Sequence, residues 1–207
     1  MAEPGGLEVA VSFPDTWFEL CFDPGPRRRR RVVRRRVDAR VKADPVLAPG
    51  RDRLVEWVLG VSAEADAKGA LIGAVSLDLL DGVEVINHLV LYEAEGPSQA
   101  GDGRPQRSIV DLVAALERPT ETDVGGRDVD IVELPAGRAV RLRWMTETDS
   151  DPEGNAAILD GVQYWLAVPG TEVVLVLSGS TPTMVAGDDL VEAVDVIAQS
   201  LRVTGHD

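Results

Sequence analysis

LIGAVSLDLLDGVEVINHLVLY, residues 71–92, decides how this chain folds. Two runs rich in aliphatic residues, Leu71 to Leu79 and Val83 to Tyr92, flank Asp81-Gly82. Asp-Gly supplies the positive φ angles of a tight hairpin turn, so the two runs are expected to pair antiparallel.

Working outward toward the C-terminus, residues 93–107 (EAEGPSQAGDGRPQR) are polar and glycine-rich and read as a mobile surface loop. Ser108 then caps a short helix, with Asp111 three residues on and Ile109, Leu112, Val113 and Leu116 as its apolar face. Val129 to Leu134 and Ala139 to Met145 are strands around Pro135-Ala136-Gly137. In the second of them Val140, Leu142 and Trp144 alternate with Arg141 and Arg143. A second mobile loop is expected near 147–156, followed by a hairpin of Ile158 to Val168 and Thr171 to Ser178 about Pro169-Gly170. A closing helix starts at Asp188 or Asp189, with Leu190, Val194, Ile197 and Leu201 at spacings of three and four.

Toward the N-terminus, Gly69 is the natural stop of a helix running from about Arg51 to Lys68, whose apolar face holds Leu54, Trp57, Val58, Val61 and Ala65. Asp44-Pro45 and Pro49-Gly50 separate it from another helix, Arg28 to Ala43, along which Val33, Val37 and Val41 form a valine stripe. Leu7, Val9, Val11 and Phe13 alternate with small or polar residues, and Trp17, Phe18, Leu20 and Phe22 follow Pro14. This pair reads as an N-terminal hairpin or bent strand. The inventory is about seven strands, mostly in antiparallel neighbours, against three or four helices. The expected class is α+β, an antiparallel sheet of about six or seven strands flanked by helices, in a single domain over 1–207.

Composition bounds the chemistry. The single cysteine, Cys21, forms no intramolecular disulfide, and without zinc-type Cys/His spacing it points to a reducing compartment, a cytoplasmic setting and no metal. MAEPGGLEVAVSFP carries no basic leader followed by a long apolar run, and no apolar stretch reaches membrane-spanning length. The net charge is −14, yet Arg27 to Lys42 holds ten basic residues and one acid, so that segment carries +9 and the remainder −23. Such a chain repels nucleic acid and acidic partners over most of its surface and attracts them at one segment.

Several words of the sequence carry a resemblance: Phe13-Pro14-Asp15-Thr16-Trp17, the strand start Gly137-Arg138-Ala139-Val140-Arg141, and the run from Val168-Pro169-Gly170 through Ser180-Thr181-Pro182 to the final helix. With the order of elements, they make the chain similar to the PsbP-like fold family, which includes photosystem PsbP proteins, nuclear-transport Mog proteins and LpqN-type mycobacterial lipoproteins. The resemblance implies a PsbP-like α/β/α sandwich and members that mostly act as protein-binding accessories. It transfers no binding residue, because fold alone does not define function.

The basic helix is the first candidate site. At about 100° per residue, Arg28, Arg31, Arg35 and Lys42 project opposite the valine stripe, toward solvent or a partner. Nucleic acid is disfavoured because no aromatic is interleaved among the arginines to stack on bases. An acidic protein partner and a face paired with the chain's own carboxylates both remain open. Trp165 is the second candidate: Tyr164, Leu166 and Val168 share one strand face, and Trp165 lies on the other with Ala167. If the sheet is covered on one side only, Trp165 is an exposed anchor of the kind interfaces favour. Asp149-Ser150-Asp151-Pro152-Glu153-Gly154 with Asp160 imitates the start of a calcium loop, but Glu153 and the shorter Asp160 depart from it, and an ordinary acidic turn is the simpler reading.

The catalytic inventory is thin. His88 reads as a packed or edge strand residue, His206 is next to last, Cys21 reads as a small apolar residue, and Ser178-Gly179-Ser180 is not followed by the helix of a nucleophile elbow. The chain is therefore expected to be a non-enzymatic accessory domain without cofactor, binding another protein through its basic helix. The alternative is a small-molecule or lipid carrier using a cleft between sheet and helices.

Overall fold

The computed structural model describes residues 7–23, 25–80, 83–94, 108–147, 158–168, 171, 173–183 and 186–205. The chain divides into two compact units, Phe13–Tyr92 and a second made of Met1–Ser12 with Glu93–Asp207.

In the Phe13–Tyr92 unit, β2 (Trp17–Glu19), β3 (Ala70–Leu80) and β4 (Val83–Ala94) are antiparallel neighbours, with Leu80 opposite Val83 and Val75 between Phe18 and His88. The hairpin expected from residues 71–92 is present, and its Asp81-Gly82 turn lies outside the described residues. Two helices, α1 (Pro26–Ala43) and α2 (Arg51–Ala67), are separated by a 3₁₀ helix over Pro45–Gly50. Pro26 opens α1, where its missing N–H costs nothing. Gly69, at φ +79°, takes the left-handed conformation that ends α2. The valine stripe does what its spacing demands: Val33 and Val37 are fully buried with Leu54, Val55, Val58, Phe18 and Val75, and Val41 packs at the margin. Cys21 joins this core, and its N–H donates to Ser62 Oγ at 3.3 Å.

In the other unit, β5 (Asp128–Leu134), β6 (Gly137–Glu147), β7 (Ile158–Ala167) and β8 (Val174–Thr181) form antiparallel pairs in the order β8-β7-β6-β5. One face of these strands carries α3 (Ile109–Leu116): Leu112 and Leu116 bury against Val140 and Leu142, with Val129, Trp144, Trp165 and Ala167 around them. The opposite face meets α4 (Gly187–Ser200), whose Leu190, Val194 and Ile197 are buried. Ser108 caps α3 as expected, its Oγ accepting the Asp111 N–H at 3.1 Å. Asp123, half-bridged to Thr146, anchors the segment after α3. Its carboxylate takes Arg127 Nε at 2.7 Å, while Arg127 Nη1 donates to Leu116 O at 3.0 Å at the end of α3.

The class is α+β, with antiparallel strand pairs and four α-helices among the described residues. The N-terminal hairpin is a correction. β1 (Leu7–Ala10) does not pair with β2; it pairs antiparallel with β9 (Arg202–Gly205), Leu7 opposite Gly205. A short edge strand takes whichever backbone row lies open to it, and here that row is a four-residue strand at the far end of the sequence. Of the two expected loops, residues 95–107 and 148–157 lie outside the described residues, while Glu93 and Ala94 extend β4 and Glu147 ends β6. No helix of the described chain is long and apolar enough to cross a membrane.

Candidate functional site

The arginine helix divides its cations into two sets. One set is held by the chain's own carboxylates: Arg28 Nε lies 3.0 Å from Asp23, Arg29 Nη2 2.7 Å from Asp66, and Arg40 3.6 Å from Asp44. Arg30 pairs with Glu56, and Arg36 pairs with Glu19 while also donating to the Glu19 carbonyl at 2.6 Å. The partners of Arg29, Arg30 and Arg36 come from α2 and β2, whereas those of Arg28 and Arg40 are Asp23 and Asp44, just beyond the two ends of α1. The second set is Arg27, Arg31, Arg34, Arg35 and Lys42. All five are exposed, and among the described residues none has a hydrogen bond or ion pair.

This places the expected site residues unequally. Arg31, Arg35 and Lys42 stand free on the solvent side, whereas Arg28, though largely exposed, is already engaged by Asp23. Arg27 and Arg34 belong to the free set and were not singled out by angle alone. With Arg30, Arg31, Arg35 and Asp38 they line a surface depression of about 530 Å³ along the helix. Asp38 sits within this stripe and is held by Arg51, Nε to Oδ1 2.6 Å, so that its carboxyl lies below the usual range through that hydrogen bond and the nearby charges of Arg51 and Arg34.

Trp165 is the other correction. Both faces of its sheet carry a helix, so it is no exposed anchor: it packs half-buried against the α3 cluster, and its indole N–H donates to Gln163 Oε1 at 3.0 Å. His88 stacks edge-on against Trp57, ring centroids 6.2 Å apart, and burial pushes its pKa down against the weaker pull of Glu64. His206 and the calcium-like residues 149–154 lie outside the described residues, and Asp160 faces Arg143 instead, Oδ2 to Nη2 3.3 Å.

Alternation in β6 foreshadowed a second polar cluster whose partners could not be read. Arg141 Nε lies 3.2 Å from both Tyr164 Oη and Asp195 Oδ1, and the Tyr164 hydroxyl donates to Asp195. Burial, then the Asp195 carboxylate, pushes the phenol well above its ordinary range. Asp130, Val132, Glu192, Val196 and Gln199 complete the wall of a depression of about 440 Å³ here. Arg143 likewise bridges Asp160 and Asp188, reaching Asp188 Oδ1 at 2.7 Å. In both clusters a strand arginine is ion-paired with a carboxylate of α4.

No protein-family model matches the chain, and no curated protein matches it. Among solved structures it is similar to LpqN, described as involved in cell envelope biogenesis of Mycobacterium tuberculosis, at 12% identity over 98% of this chain and 86% of that one, with a TM-score of 0.49.

Proposed function

We propose that this chain is a non-enzymatic accessory domain that docks an acidic protein partner on the outer face of α1. The observation that carries the reading is the free set, Arg27, Arg31, Arg34, Arg35 and Lys42, exposed on one side of a helix in a chain of net charge −14 whose other helix arginines are mostly paired. Like charges three and four residues apart oppose helix formation by a few tenths of a kcal/mol per pair, roughly. A sequence that tolerates several of them uncompensated concentrates positive field where an anionic partner is steered.

Among the described residues, two groups that catalysis could draw on are engaged otherwise. Cys21 is buried in the α1–α2 core and His88 is stacked on Trp57. The depression beside Arg141 has three carboxylates, Asp130, Glu192 and Asp195, in its wall, which disfavours an acyl chain there. A lone buried thiol fits a reducing, cytoplasmic setting.

Fluorescence anisotropy with a labelled poly-glutamate peptide tests the docking face. Binding should be strong at low ionic strength, fall with added salt, and vanish in Arg27→Glu/Arg31→Glu/Arg35→Glu while persisting in a control reversed at the exposed Arg53 of α2. Equal binding by both variants removes α1 from the reading.

A further inference from the structure

The geometry of the free end of α1 narrows the chemistry of the partner, given the docking reading above. Arg27, Arg31, Arg34 and Arg35 border one depression, and among the described residues none makes a side-chain hydrogen bond or ion pair, though Arg34 lies close enough to Asp38 for its charge to be felt there. From Arg27 to Arg35 the helix rises about 12 Å. One turn further on stands Asp38, ion-paired with Arg51, Nε to Oδ1 2.6 Å. No aromatic side chain lines the depression to stack on bases, which disfavours a polynucleotide and leaves a short set of discrete anions as the fitting occupant.

Within the stripe, Arg27 and Arg31, and Arg31 and Arg35, are four residues apart, and Arg31 and Arg34 are three apart, so adjacent guanidinium groups project side by side. A carboxylate offers two oxygens and one charge, which a single guanidinium fork saturates. A phosphoryl ester offers three oxygens and nearly two charges at neutral pH, which calls for two forks. We propose that α1 between Arg27 and Arg35 docks a phosphorylated segment of its partner protein, with phosphoserine or phosphothreonine as the group held between neighbouring arginines. No apolar side chain stands among the residues lining the depression, which separates it from a membrane-inserting helix.

The test uses three labelled copies of one synthetic peptide, carrying phosphoserine, glutamate or serine at the same positions, titrated with the full chain by anisotropy. The phosphoserine peptide should bind about ten-fold tighter than the glutamate one, with serine weakest. Arg31→Lys/Arg35→Lys keeps the charge but loses the forks. It should weaken both peptides, the phosphoserine peptide by much more, and so lose the preference for phosphate. Equal affinity for phosphoserine and glutamate, or a preference that survives the lysine substitutions, overturns the proposal while leaving acidic docking intact. If neither peptide binds, both readings fail. Tighter binding to phosphatidylserine vesicles than to the phosphopeptide also overturns it.

Discussion

Gly187 at the start of α4 lies so close to Asp160 of β7 that a Cβ on it would fall 1.9 Å from Asp160 Oδ2. Only a residue without a side chain lets the helix begin there, with Arg143 reaching Asp160 and Asp188 from the neighbouring strand. Gly187→Ala should therefore cost about 2 kcal/mol, as overpacking of a tight site does. Asp160→Ala in the same chain should recover part of the loss. Thermal unfolding of the two variants checks this, and an additive double mutant would show that the contact is not the cause.

Asp123 is the most strongly held carboxylate among the described residues, its pKa depressed to about 2 by the Arg127 hydrogen bond first and by Thr120 as well. Its folded value lies below the unfolded one, so its contribution is complete above pH ~4 and is lost as pH falls through about 2. Asp123→Asn should cost about 3 kcal/mol at neutral pH, because it leaves the mostly buried Arg127 without its counter-charge. In urea unfolding the gap between wild type and variant should close toward pH 2; a gap constant with pH would refute the assignment.

His88 acts in the same direction along the pH axis, in a higher pH window. Burial depresses its pKa, so the fold holds it neutral while the unfolded chain takes a proton near pH 6.5. Its stabilising effect is full above that pH and is lost as pH falls below it toward the folded value. The melting temperature of the wild type should drop between pH 7 and about 5.5, before most carboxylates titrate. His88→Gln should melt lower throughout, by losing the Trp57 contact, but with a flatter profile over the same interval.

Paired and free arginines of α1 should separate in stability. Arg29→Gln removes a hydrogen bond to Asp66 and another to the Asp23 carbonyl, and should cost about 1.5 kcal/mol. Arg31→Gln/Arg35→Gln should stay within about 0.5 kcal/mol of the wild type, because neither side chain has a hydrogen bond or ion pair among the described residues. At low ionic strength it should even gain slightly, through relief of like-charge repulsion. A loss comparable to that of Arg29→Gln would mean that these side chains serve the fold.

Local rules made α1, α2 and the 71–92 hairpin legible. Val33, Val37 and Val41 recur at helical spacing in a stretch free of Gly and Pro, and Asp81-Gly82 punctuates two aliphatic runs. Ser108 could be recognised as a cap because its acceptor and the Asp111 N–H are three residues apart. What escaped depends on residues distant in sequence. β1 finds β9 across nearly the whole chain, and β9 itself is too short to announce a period. Trp165 looked available because nothing in its own strand says that α3 covers that face. The division of the α1 arginines needed Glu19, Glu56 and Asp66 brought in by other elements, so the face was legible and its free members were not.

The pairing of Leu7 with Gly205 imposes an order on biogenesis. Phe13–Tyr92 is one uninterrupted segment and can collapse as soon as it leaves the ribosome, whereas the opening strand must wait for residues 202–205 to be translated. At roughly 5–20 residues per second that delay is about 6 to 23 seconds after Tyr92 is made. Through that interval a nascent molecule already displays its arginine helix while its first strand is still searching for a mate.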